Sequence, residues 1–547
     1  MRKDLENSNI ARLPRLTLTA RQLADLDQIL VGGFAPLTGF LEEKDYKSVV
    51  ENMRLANGTL WPIPIVLDVS RDHGRKKGEK IILCDQFGNP IAFFTVTSIY
   101  EPDKEKEARL VYGTENIEHA GVKYLFEDTG DVYLGGPVEL IAYAPVYDFK
   151  ELRFTPQDLK AHFKKKKQKK ILAFQTRNPI HRGHFEAIKR AAKESGAHVL
   201  IHPVVGPTKE GDIDYISRVR SYVRLVQSRM KDFATLALLP IAMRMAGPRE
   251  ALWHAIIRKN YGATHFIVGR DHAGLRDLSG KSFYGVHDSL NTAKKLETEL
   301  GISIVPMKEL AYVEKEDLYL ASDELKPHHK TKILSGSDFR KMLYAGEPIP
   351  TWFAFPEVVA ELKKAMEKTR RLGAVIFFTG LSGAGKSTMA HMLYHKLLES
   401  YDRSVTLLDG DVVRQNLSKG LTFSRADRDE NIKRIGYVAS EIAKHGGIAI
   451  CAAIAPFKGA REHNRKLIAK NGTYIEIYVS TPIAVCEKRD RKGLYKKARA
   501  GLLKGFTGID DPYEIPKHPE LTLDTSKMTS EKSVEKIIDL LKRQDII

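Results

Sequence analysis

The chemistry-bearing residues of this sequence concentrate in two places, and the clearer one is a glycine-rich string. GLSGAGKS at 380–387 matches the pattern G-x-x-x-x-G-K-[ST], directly after an apolar segment and before a helical one. In such a loop the backbone N–H groups surround phosphate, Lys386 reaches the β and γ oxygens and Ser387 offers its hydroxyl to Mg²⁺. We expect Lys386 to be an exposed loop residue. The predicted ATP contacts are Gly380, Leu381, Ser382, Gly383, Ala384, Gly385, Lys386, Ser387 and Thr388.

Two carboxylates follow the next apolar segment, VTLLDG. Asp409 and Asp411 are expected at the carboxyl edge of a sheet, where a nucleotide crevice lies. Either one could accept a proton from the phosphoryl acceptor or orient Mg²⁺-bound water, and the alternative that Asp409 only caps the following helix stays open. Arg414 and Phe423 add a cation and an aromatic ring, which suit an anionic acceptor that carries a base.

The second place is QTRNPIHRGH at 175–184. His181 and His184 are three residues apart, on one face of a helical turn, and Arg177 and Asn178 lie just upstream at a strand end. Two such histidines are also possible metal ligands, but no nearby carboxylate or cysteine completes a familiar zinc spacing. Histidines beside Arg and Asn at a strand-to-helix switch favour binding of phosphate oxygens instead.

A related cluster, GRDHAG at 269–274, ends another apolar segment. It brings Arg270, Asp271 and His272 to the same predicted sheet edge, where the N–H of Ala273 can donate to an oxyanion. The segments 205–209 and 243–269 add loops at successive strand ends, so we expect all of them to meet at one crevice.

The C-terminal motifs carry a family resemblance. DGDVVR, GLTFSRADRDENIKRIG and KGLYKKARAGLLKGFTGIDDPYE at 492–514 together resemble the adenylylsulfate (APS) kinases, across nearly all of 373–547. The resemblance implies that Lys386, Asp409 and Asp411 are catalytic and that Phe423 stacks on the acceptor adenine. It also implies that Arg414, Arg428 and Asn431 hold the phosphosulfate of the acceptor and that the segment from Lys492 to Arg499 forms a lid over the phosphates, with Lys492 in contact with adenylylsulfate.

One position departs from that family. Members commonly have an I-S-P-F type sequence whose serine has been proposed as a phosphorylated intermediate, whereas this chain has Ala455 between Ile454 and Pro456. Alanine has no hydroxyl, so a phosphoenzyme at this position is impossible and direct in-line transfer is expected.

The upstream motifs resemble a second family. QTRNP, HRGH and GRDHAG, with GGFAPLTGF at 32–40 and TWFAFPEV at 351–358, are similar to ATP sulfurylase, that is, to the sulfate adenylyltransferases. The resemblance implies a reacting centre of Thr176, Arg177 and Asn178, with His181 and His184 stabilising the transition state and the departing pyrophosphate. It further implies sulfate binding by Gln175, Arg177, Arg270 and the Ala273 backbone, and ATP binding by Gly269, Arg270, Asp271 and His272, with Leu310 near the adenine.

These roles agree with the chemistry of sulfate. Sulfate is a weak nucleophile with a strong conjugate acid, so it needs no general base. It needs positioning and neutralisation of charge, because a dianion must approach the α-phosphorus of an anionic nucleotide. Arginine supplies a fixed bidentate fork for such an anion.

The two sites together predict a bifunctional enzyme. ATP and sulfate would give adenylylsulfate and pyrophosphate, and a second ATP would phosphorylate the 3′-hydroxyl of adenylylsulfate, with Mg²⁺ carried by ATP at both sites. In the main alternative, the C-terminal domain senses a nucleotide without catalysis. A third interpretation, an RNA-binding protein, depends on the net charge of +18 and on KKKKQKK at 164–170, which we interpret as a solvated helix end before a strand.

The elements that must position these residues form an α/β multidomain protein. We predict a mostly-β N-terminal domain at 1–150, a Rossmann-like catalytic domain at 151–320, a small region and linker at 321–372, and a P-loop kinase domain at 373–547. Short strands broken by turns fill the first domain, and apolar strands alternate with helical stretches in the second and fourth.

Composition limits the remaining choices. The 547 residues are 43% hydrophobic, which is ordinary for globular domains, and no apolar stretch is long enough to cross a bilayer. Three widely separated cysteines favour a reducing compartment, so we expect a cytoplasmic protein. The expected partners are ATP, sulfate, adenylylsulfate and pyrophosphate, with no nucleic acid and no membrane, in a homo-oligomer.

Overall fold

The computed structural model of the chain describes residues 13–206, 215–345, 347–364, 373–401, 403–470 and 472–547. These residues fall into two compact units, one within 1–144 and 151–362 and the other within 145–150 and 363–547. Each unit is described by itself below.

The N-terminal part of the first unit is organised around a β-sheet, as predicted, and its described residues also form several helices. In its mostly antiparallel sheet β1, β4, β5, β7 and β2 are neighbours in that order, and β3 and β6 also pair with β7. The strands are β1 Arg15–Thr17, β2 Gly39–Phe40, β3 Leu67–Val69, β4 Lys80–Cys84, β5 Pro90–Thr95, β6 Ser98–Tyr100 and β7 Val132–Leu140. The helices are α1 Ala20–Leu30, α2 Glu43–Asn52, α3 Lys104–Glu107 and α4 Ala120–Glu127, with a π-helical turn at Ala108–Tyr112.

The central part of the first unit is a five-stranded parallel sheet. Its strands are β8 Ile171–Phe174, β9 His198–Ile201, β10 Ala234–Leu236, β11 His265–Val268 and β12 Ser303–Pro306. The helices are α5 Pro156–Lys165, α6 Arg182–Ser195, α7 Tyr215–Leu225, α8 Gly247–Asn260, α9 Asp288–Lys295 and α10 Glu297–Leu300, with a 3₁₀ turn at Lys150–Leu152 and a π-helical turn at Val226–Met230.

The strand order of this sheet, β10-β9-β8-β11-β12, confirms the Rossmann-like prediction. The chain leaves β8 toward one edge of the sheet and β11 toward the other, so the order reverses between these two neighbours. Ligands of open parallel sheets bind in the crevice at such a switch point, outside the carboxyl ends of the strands. Residues 175–184 and 269–274 follow β8 and β11, and we call these two loops the central crevice.

Local sequence explains why these elements form. Every residue of β8 is buried, as expected for a central parallel strand. Helix α6 buries Phe185, Ile188 and Ala192, which lie three and four residues apart. Helix α5 begins at a capping box on Thr155 and ends in exposed lysines, so the lysine run is the helix end that we predicted.

A smaller group of elements follows the central sheet. Strands β13 Leu310–Val313, β14 Leu318–Ala321 and β15 Thr331–Lys332 form an antiparallel sheet in the order β14-β13-β15. Helices α11 Gly336–Ala345 and α12 Pro356–Lys364 come next. The rest of the predicted connector, residues 365–372, lies outside the described residues.

The second unit contains another five-stranded parallel sheet. Its strands are β16 Ala374–Gly380, β17 Val405–Asp409, β18 Ile448–Ala452, β19 Thr473–Val479 and β20 Leu521–Leu523, in the order β17-β18-β16-β19-β20. The helices are α13 Lys386–Ser400, α14 Gly410–Gln415, α15 Arg425–Lys444, α16 Lys458–Ile468, α17 Ile483–Arg489, α18 Leu494–Arg499 and α19 Ser530–Arg543. All of β16 is buried, which places the P-loop string at the carboxyl end of the central strand.

The predicted domain boundaries at 150, 320 and 372 stay predictions. The described part of the chain contains no helix with both the length and the apolar character that crossing a membrane requires.

Candidate functional site

The loop after β8 begins with a tight turn on Thr176. The Thr176 hydroxyl accepts a hydrogen bond from the Asn178 N–H (3.0 Å) and donates one to the Asn178 carbonyl (2.8 Å). Such a side-chain turn fixes the backbone of Arg177 and Asn178 at the end of the buried strand. Thr176 is itself buried, so its part in the predicted reacting centre is at least to shape this turn.

Two side chains of helix α7 form hydrogen bonds with the backbone of the same turn. Arg218, only 2% exposed, donates through Nη1 to the Arg177 carbonyl (2.7 Å), and the Tyr222 hydroxyl donates to the Asn178 carbonyl (2.8 Å). These bonds fix the backbone between the two predicted reacting residues. Sequence reasoning missed Arg218 and Tyr222 because they lie some forty residues downstream, in a helix with no recognisable motif.

His181 and His184 form a stacked pair at the start of α6. His181 is the N-cap residue, and its Nδ1 accepts a hydrogen bond from the His184 N–H at 3.3 Å. The ring centroids of the pair are 3.7 Å apart, and the Phe353 ring stacks on His181 at 4.7 Å. Since His181 Nδ1 accepts a bond, the proton of the neutral ring lies on Nε2.

Burial keeps both histidines neutral. It lowers the pKa of His181 well below its usual range and the pKa of His184 to about 4. His184 Nδ1 is buried, and no group in the described part of the chain forms a hydrogen bond with it. The pair can therefore act on an anion as neutral N–H donors, because at neutral pH neither ring carries a charge.

The loop after β11 places its residues in contrasting environments. His272 and Ala273 are buried, whereas Asp271 is exposed. Ala273 adopts φ +56°, which turns the backbone sharply where an oxyanion donor is predicted. A side chain at Gly274 would place its Cβ 1.9 Å from Asp271 Oδ1, so the carboxylate of the exposed Asp271 would have to move to admit it.

Arg270, a predicted ligand of sulfate and ATP, is engaged by an acidic neighbour. Its Nη1 lies 2.7 Å from Glu309 Oε1, and both side chains are 55% exposed. Glu309 directly precedes Leu310, the first residue of β13. This ion pair therefore links the loop after β11 to the predicted adenine contact.

The sheet register brings most of the predicted sulfurylase residues together. Phe266 and Ile267 of β11 lie beside Ala173 and Phe174 of β8, so the loops carrying 175–184 and 269–274 leave the same edge of adjacent strands. Gln175 Nε2 donates to the sulfur of Met243 at 3.8 Å, which ties the segment 243–269 to this edge as well. Of the predicted loop 205–209, residues 207–209 lie outside the described residues.

The glycine-rich string forms the loop between β16 and α13. Gly380 adopts φ +146° and Gly383 φ +73°, conformations that side chains disfavour. A Cβ on Gly380 would lie 2.5 Å from the Val479 carbonyl oxygen, and one on Gly383 would lie 3.0 Å from that of Cys486. Gly385, the second glycine of the pattern, also adopts a positive φ, of +103°, so the backbone of the loop favours glycine at all three positions.

Side chains from distant elements bind the carbonyl groups of this loop. The Tyr495 hydroxyl donates to the Ser382 carbonyl (2.9 Å), Arg489 Nη1 to that of Gly383 (3.3 Å) and the Thr525 hydroxyl to that of Ala384 (2.9 Å). Because these carbonyls are bonded to the protein, the loop can present its N–H groups to an anion. No sequence motif marks these supports, which lie about a hundred or more residues downstream.

The expectation that Lys386 is an exposed loop residue is wrong. It is 8% exposed, it begins α13, and its Nζ donates to the carbonyls of Gly380 (2.9 Å) and Leu381 (2.8 Å). Burial lowers the pKa of Lys386 to about 8, although Asp409 opposes that shift. The ammonium group is therefore held by the loop that it is predicted to serve.

Asp409 caps the following helix with one of its two carboxylate oxygens. Its Oδ1 accepts a hydrogen bond from the Asp411 N–H (3.0 Å), which caps α14, while its Oδ2 is buried and receives no hydrogen bond within the described ranges. Asp411 Oδ2 contacts the ammonium group of Lys492, the first residue of the predicted lid. The capping bond thus uses one oxygen and leaves the other available.

The predicted acceptor site contains cations, one aromatic ring and a buried amide. The Arg414 guanidinium lies 4.2 Å from the centroid of the Phe423 ring, which is 65% exposed and so available for stacking. Arg428 pairs with Asp511 at 2.6 Å, and Asn431 Oδ1 is buried with no hydrogen-bond partner among the residues described.

Ala455 lies in a constrained turn after β18. It adopts φ +45° and is 1% exposed, and its carbonyl accepts hydrogen bonds from Arg461 Nη1 (2.6 Å) and the Thr379 hydroxyl (3.2 Å). This backbone is therefore fixed without any side-chain chemistry at position 455.

Comparison with known proteins agrees with both resemblances. Residues 150–365 match the family model of ATP-sulfurylase, residues 372–524 that of adenylylsulphate kinase and residues 2–143 that of a PUA-like domain. The sulfate adenylyltransferase of Phaeosphaeria nodorum is 48% identical and that of Coccidioides immitis 47% identical, each over 98% of this chain and 94% of the relative. A solved structure described as a hexameric APS kinase from Thiobacillus denitrificans is 33% identical, with a TM-score of 0.57, over 100% of this chain and 96% of that one.

Proposed function

Because this chain belongs to the sulfate adenylyltransferase family and also contains an adenylylsulfate kinase domain, we propose that it catalyses both steps of sulfate activation. In the first step a sulfate oxygen attacks the α-phosphorus of ATP, giving adenylylsulfate and pyrophosphate. In the second step the 3′-hydroxyl of adenylylsulfate attacks the γ-phosphorus of another ATP, giving the 3′-phosphorylated product and ADP.

The central crevice suits the first step because it offers fixed donors for an anion. Arg177 and Asn178 lie in a turn whose carbonyl groups accept hydrogen bonds from Arg218 and Tyr222. Arg270 follows the neighbouring strand. Sulfate needs such positioning and charge neutralisation rather than deprotonation. His181 and His184 would donate neutral N–H groups to the leaving pyrophosphate.

The observation that carries the second step is the free carboxylate oxygen of Asp409. This oxygen is buried at the end of β17 and receives no hydrogen bond from the described residues, although burying an unpaired carboxylate oxygen is costly. A reacting hydroxyl, or water bound to Mg²⁺, would satisfy it. Of these two, the reacting hydroxyl is present only in a catalytic site, so the oxygen suits phosphoryl transfer directly.

Asp409 and Ser387 also fit Mg²⁺ carried by ATP. A buried carboxylate oxygen and a hydroxyl at the start of α13 are the oxygen donors that this cation prefers. When bound, Mg²⁺ would neutralise charge on the β and γ oxygens. The residues of this chain do the rest: the loop N–H groups and Lys386 bind the phosphates, and Asp409 or Asp411 takes the hydroxyl proton.

The runner-up function is a sulfurylase whose C-terminal domain binds a nucleotide without catalysis. It is favoured by the resting contacts of two predicted catalytic residues, since Lys386 donates to loop carbonyls and Asp411 contacts Lys492. The ammonium groups of Lys386 and Lys492 can each exchange these contacts for phosphate oxygens, so we rank this function second.

A coupled assay distinguishes the two functions. The purified chain is incubated with ATP, Mg²⁺ and sulfate, and pyrophosphate, adenylylsulfate and the 3′-phosphorylated product are followed together. We expect all three, with adenylylsulfate staying low because the second step consumes it. Pyrophosphate release without any 3′-phosphorylated product, even from supplied adenylylsulfate, would favour the runner-up.

Assembly and location complete the proposal. We expect a homo-oligomer, since the related chain from Thiobacillus denitrificans is described as hexameric. We also expect the enzyme to act in the cytoplasm, because its three cysteines, Cys84, Cys451 and Cys486, are free and buried separately.

A further inference from the structure

A buried row of three side chains extends behind the central crevice. Glu250 and His254 lie one turn apart on α8, and His272 is in the loop after β11. Glu250 and His254 are fully buried and His272 is 8% exposed. His254 Nδ1 lies 3.0 Å from His272 Nε2 in a hydrogen bond. Glu250 Oε1 lies 3.3 Å from His254 Nε2, a contact of charge without hydrogen-bond geometry, since this nitrogen has no hydrogen-bond partner among the described residues.

The carboxylate at the end of this row is ionised. Burial alone would raise the pKa of Glu250, but the contact with His254 and hydrogen bonds from the N–H groups of Arg244 and Ala246, both 2.9 Å, outweigh burial and lower the pKa to about 2. The anion therefore has fixed donors on both oxygens.

The two histidines are neutral. Burial lowers the pKa of His254 to about 4 and the pKa of His272 well below its usual range. The fully buried guanidinium of Arg258 acts in the same direction on both rings, and the charge of Arg177 adds to the effect on His272.

The charge of this carboxylate favours one arrangement of the protons in the row. A negative charge 3.3 Å from His254 Nε2 favours the tautomer with its proton on that nitrogen, which leaves the lone pair on Nδ1. His254 Nδ1 can then only accept, so the bond of 3.0 Å requires the proton of His272 to lie on Nε2. The Nδ1 of His272 is left as a hydrogen-bond acceptor.

We propose that Glu250 and His254 are positioning residues that hold His272 as an acceptor, so that its Nδ1 binds a neutral hydrogen-bond donor of the nucleotide in the central crevice. The inference rests on the proposed sulfurylase step. His272 would accept from a ribose hydroxyl or from the exocyclic amino group of adenine, and it would not bind a phosphate oxygen, which has no proton to donate. It thereby selects the nucleoside part of ATP, while Arg177, Arg270, His181 and His184 serve the anions.

The first test measures the tautomer without any substrate. Nitrogen-15 spectra of histidine-labelled protein give the protonation state of each ring nitrogen, and the His272→Gln variant identifies the His272 signals. We expect the proton on Nε2 of His272 and a bare Nδ1. A proton on Nδ1 would overturn the proposal whether or not the chain is a sulfurylase.

The second test uses ATP analogues that each lack one donor: 2′-deoxy-ATP, 3′-deoxy-ATP and purine riboside triphosphate. Sulfate-dependent pyrophosphate release is measured for each, and an enzyme inactive with ATP itself would contradict the proposed function rather than this inference. We expect KM to rise roughly tenfold for the analogue that lacks the group bound by His272, the value of one hydrogen bond. Equal KM values for all four nucleotides would overturn the acceptor role.

Variants of His254 connect the two tests. His254→Phe removes the acceptor for His272 Nε2, so the discrimination between nucleotides should fall to within about twofold and the His272 tautomers should mix. His254→Asn can keep an acceptor oxygen near the Nδ1 position and should restore both properties. Should His254→Phe lower activity equally with every nucleotide and leave the His272 tautomer unchanged, the row would be only structural.

A matched control lies at the opposite end of the same sheet. His198, the first residue of β9, has both ring nitrogens within hydrogen-bond distance of side chains, Gln168 and Thr235, each at 2.9 Å. His198→Asn should leave the His272 signals and the analogue ratios at parent values. A change in those ratios as large as that of His254→Phe would remove the specificity on which the proposal depends.

Discussion

Arg270 and Glu309 form an ion pair of 2.7 Å at the rim of the central crevice, although Arg270 is the residue expected to bind sulfate. The two side chains are equally exposed, at 55%, so the pair contributes at most about 1 kcal/mol. An exposed pair of this strength can open when a dianion arrives. Glu309 would therefore compete with the proposed sulfate ligand for the same guanidinium.

The first prediction follows from this competition. Glu309→Gln should lower the KM for sulfate by about two- to fivefold, because the substrate no longer displaces a carboxylate. Initial rates of pyrophosphate release at varied sulfate measure the effect. The adjacent exposed pair of Lys308 and Glu194 (2.8 Å) supplies the control, since Glu194→Gln should leave the KM unchanged. A higher KM in Glu309→Gln would show instead that Glu309 orients Arg270 for binding.

The second prediction concerns pH and His184. Its pKa is about 4 in the folded chain and about 6.5 when unfolded, so the unfolded state binds more protons as the pH falls. The stability of the first unit due to neutral His184 is complete above about pH 6.5 and is lost as the pH falls from there toward about 4. Between pH 7.5 and pH 5 this loss is about 2 kcal/mol.

Urea denaturation followed by tryptophan fluorescence measures that loss. All three tryptophans, Trp61, Trp253 and Trp352, lie in the first unit, so the signal reports the unfolding of this unit. The variant His184→Gln has no titrating ring at this position. Between pH 7.5 and pH 5 its free energy of unfolding should therefore fall by about 2 kcal/mol less than that of the parent. Identical pH dependence in the two proteins would mean that His184 is charged, or solvated, in the folded state.

The third prediction separates the two activities. His184→Ala should abolish adenylyl transfer and leave the phosphorylation of supplied adenylylsulfate near the parent rate, because the P-loop lies in the other compact unit. Each activity is measured on the same preparation, so the kinase rate is the internal control for folding. Loss of both activities to the same extent in a folded variant would contradict this separation.

The fourth prediction concerns the phosphoryl path. Ala455 is buried and has no hydroxyl, so adenylylsulfate kinase activity should be present without a phosphorylated protein. The chain is incubated with γ-labelled ATP and examined for acid-stable label on the protein. A stoichiometric phosphoenzyme that transfers its label to adenylylsulfate would contradict direct transfer.

The sequence predicted those parts of the fold and sites that depend on local pattern. Fully apolar runs predicted β8, β11 and β16, and parallel strands place the residues after them at one edge, so QTRNP and GRDHAG were expected to meet. The short edge strand β20 was missed because three residues carry too little pattern.

The supports of the sites could not be predicted, since they are tertiary contacts between residues distant in sequence. Arg218 has no motif of its own, yet it holds the Arg177 carbonyl, and Thr525 holds a P-loop carbonyl 141 positions away. The burial of Lys386 was missed for a related reason. The motif gives its position next to phosphate, but burial depends on how the surrounding loops pack over it.

The last prediction is that Lys386→Ala converts this chain into a plain ATP sulfurylase. Lys386 is the P-loop side chain that can follow the γ-phosphoryl group as it leaves, and removing one pre-aimed charged donor costs on the order of a hundredfold or more in rate. Its Nζ also donates to the Gly380 and Leu381 carbonyls, so some loss of stability in the second unit is expected as well. Lys396→Ala, at an exposed position of the same helix, controls for the loss of a lysine from α13.

Sulfate-dependent pyrophosphate release should continue in Lys386→Ala, but adenylylsulfate should accumulate and the forward flux should stall early because nothing removes it. Formation of the 3′-phosphorylated product at the parent rate would mean that GLSGAGKS is not the working site and that the kinase assignment is wrong.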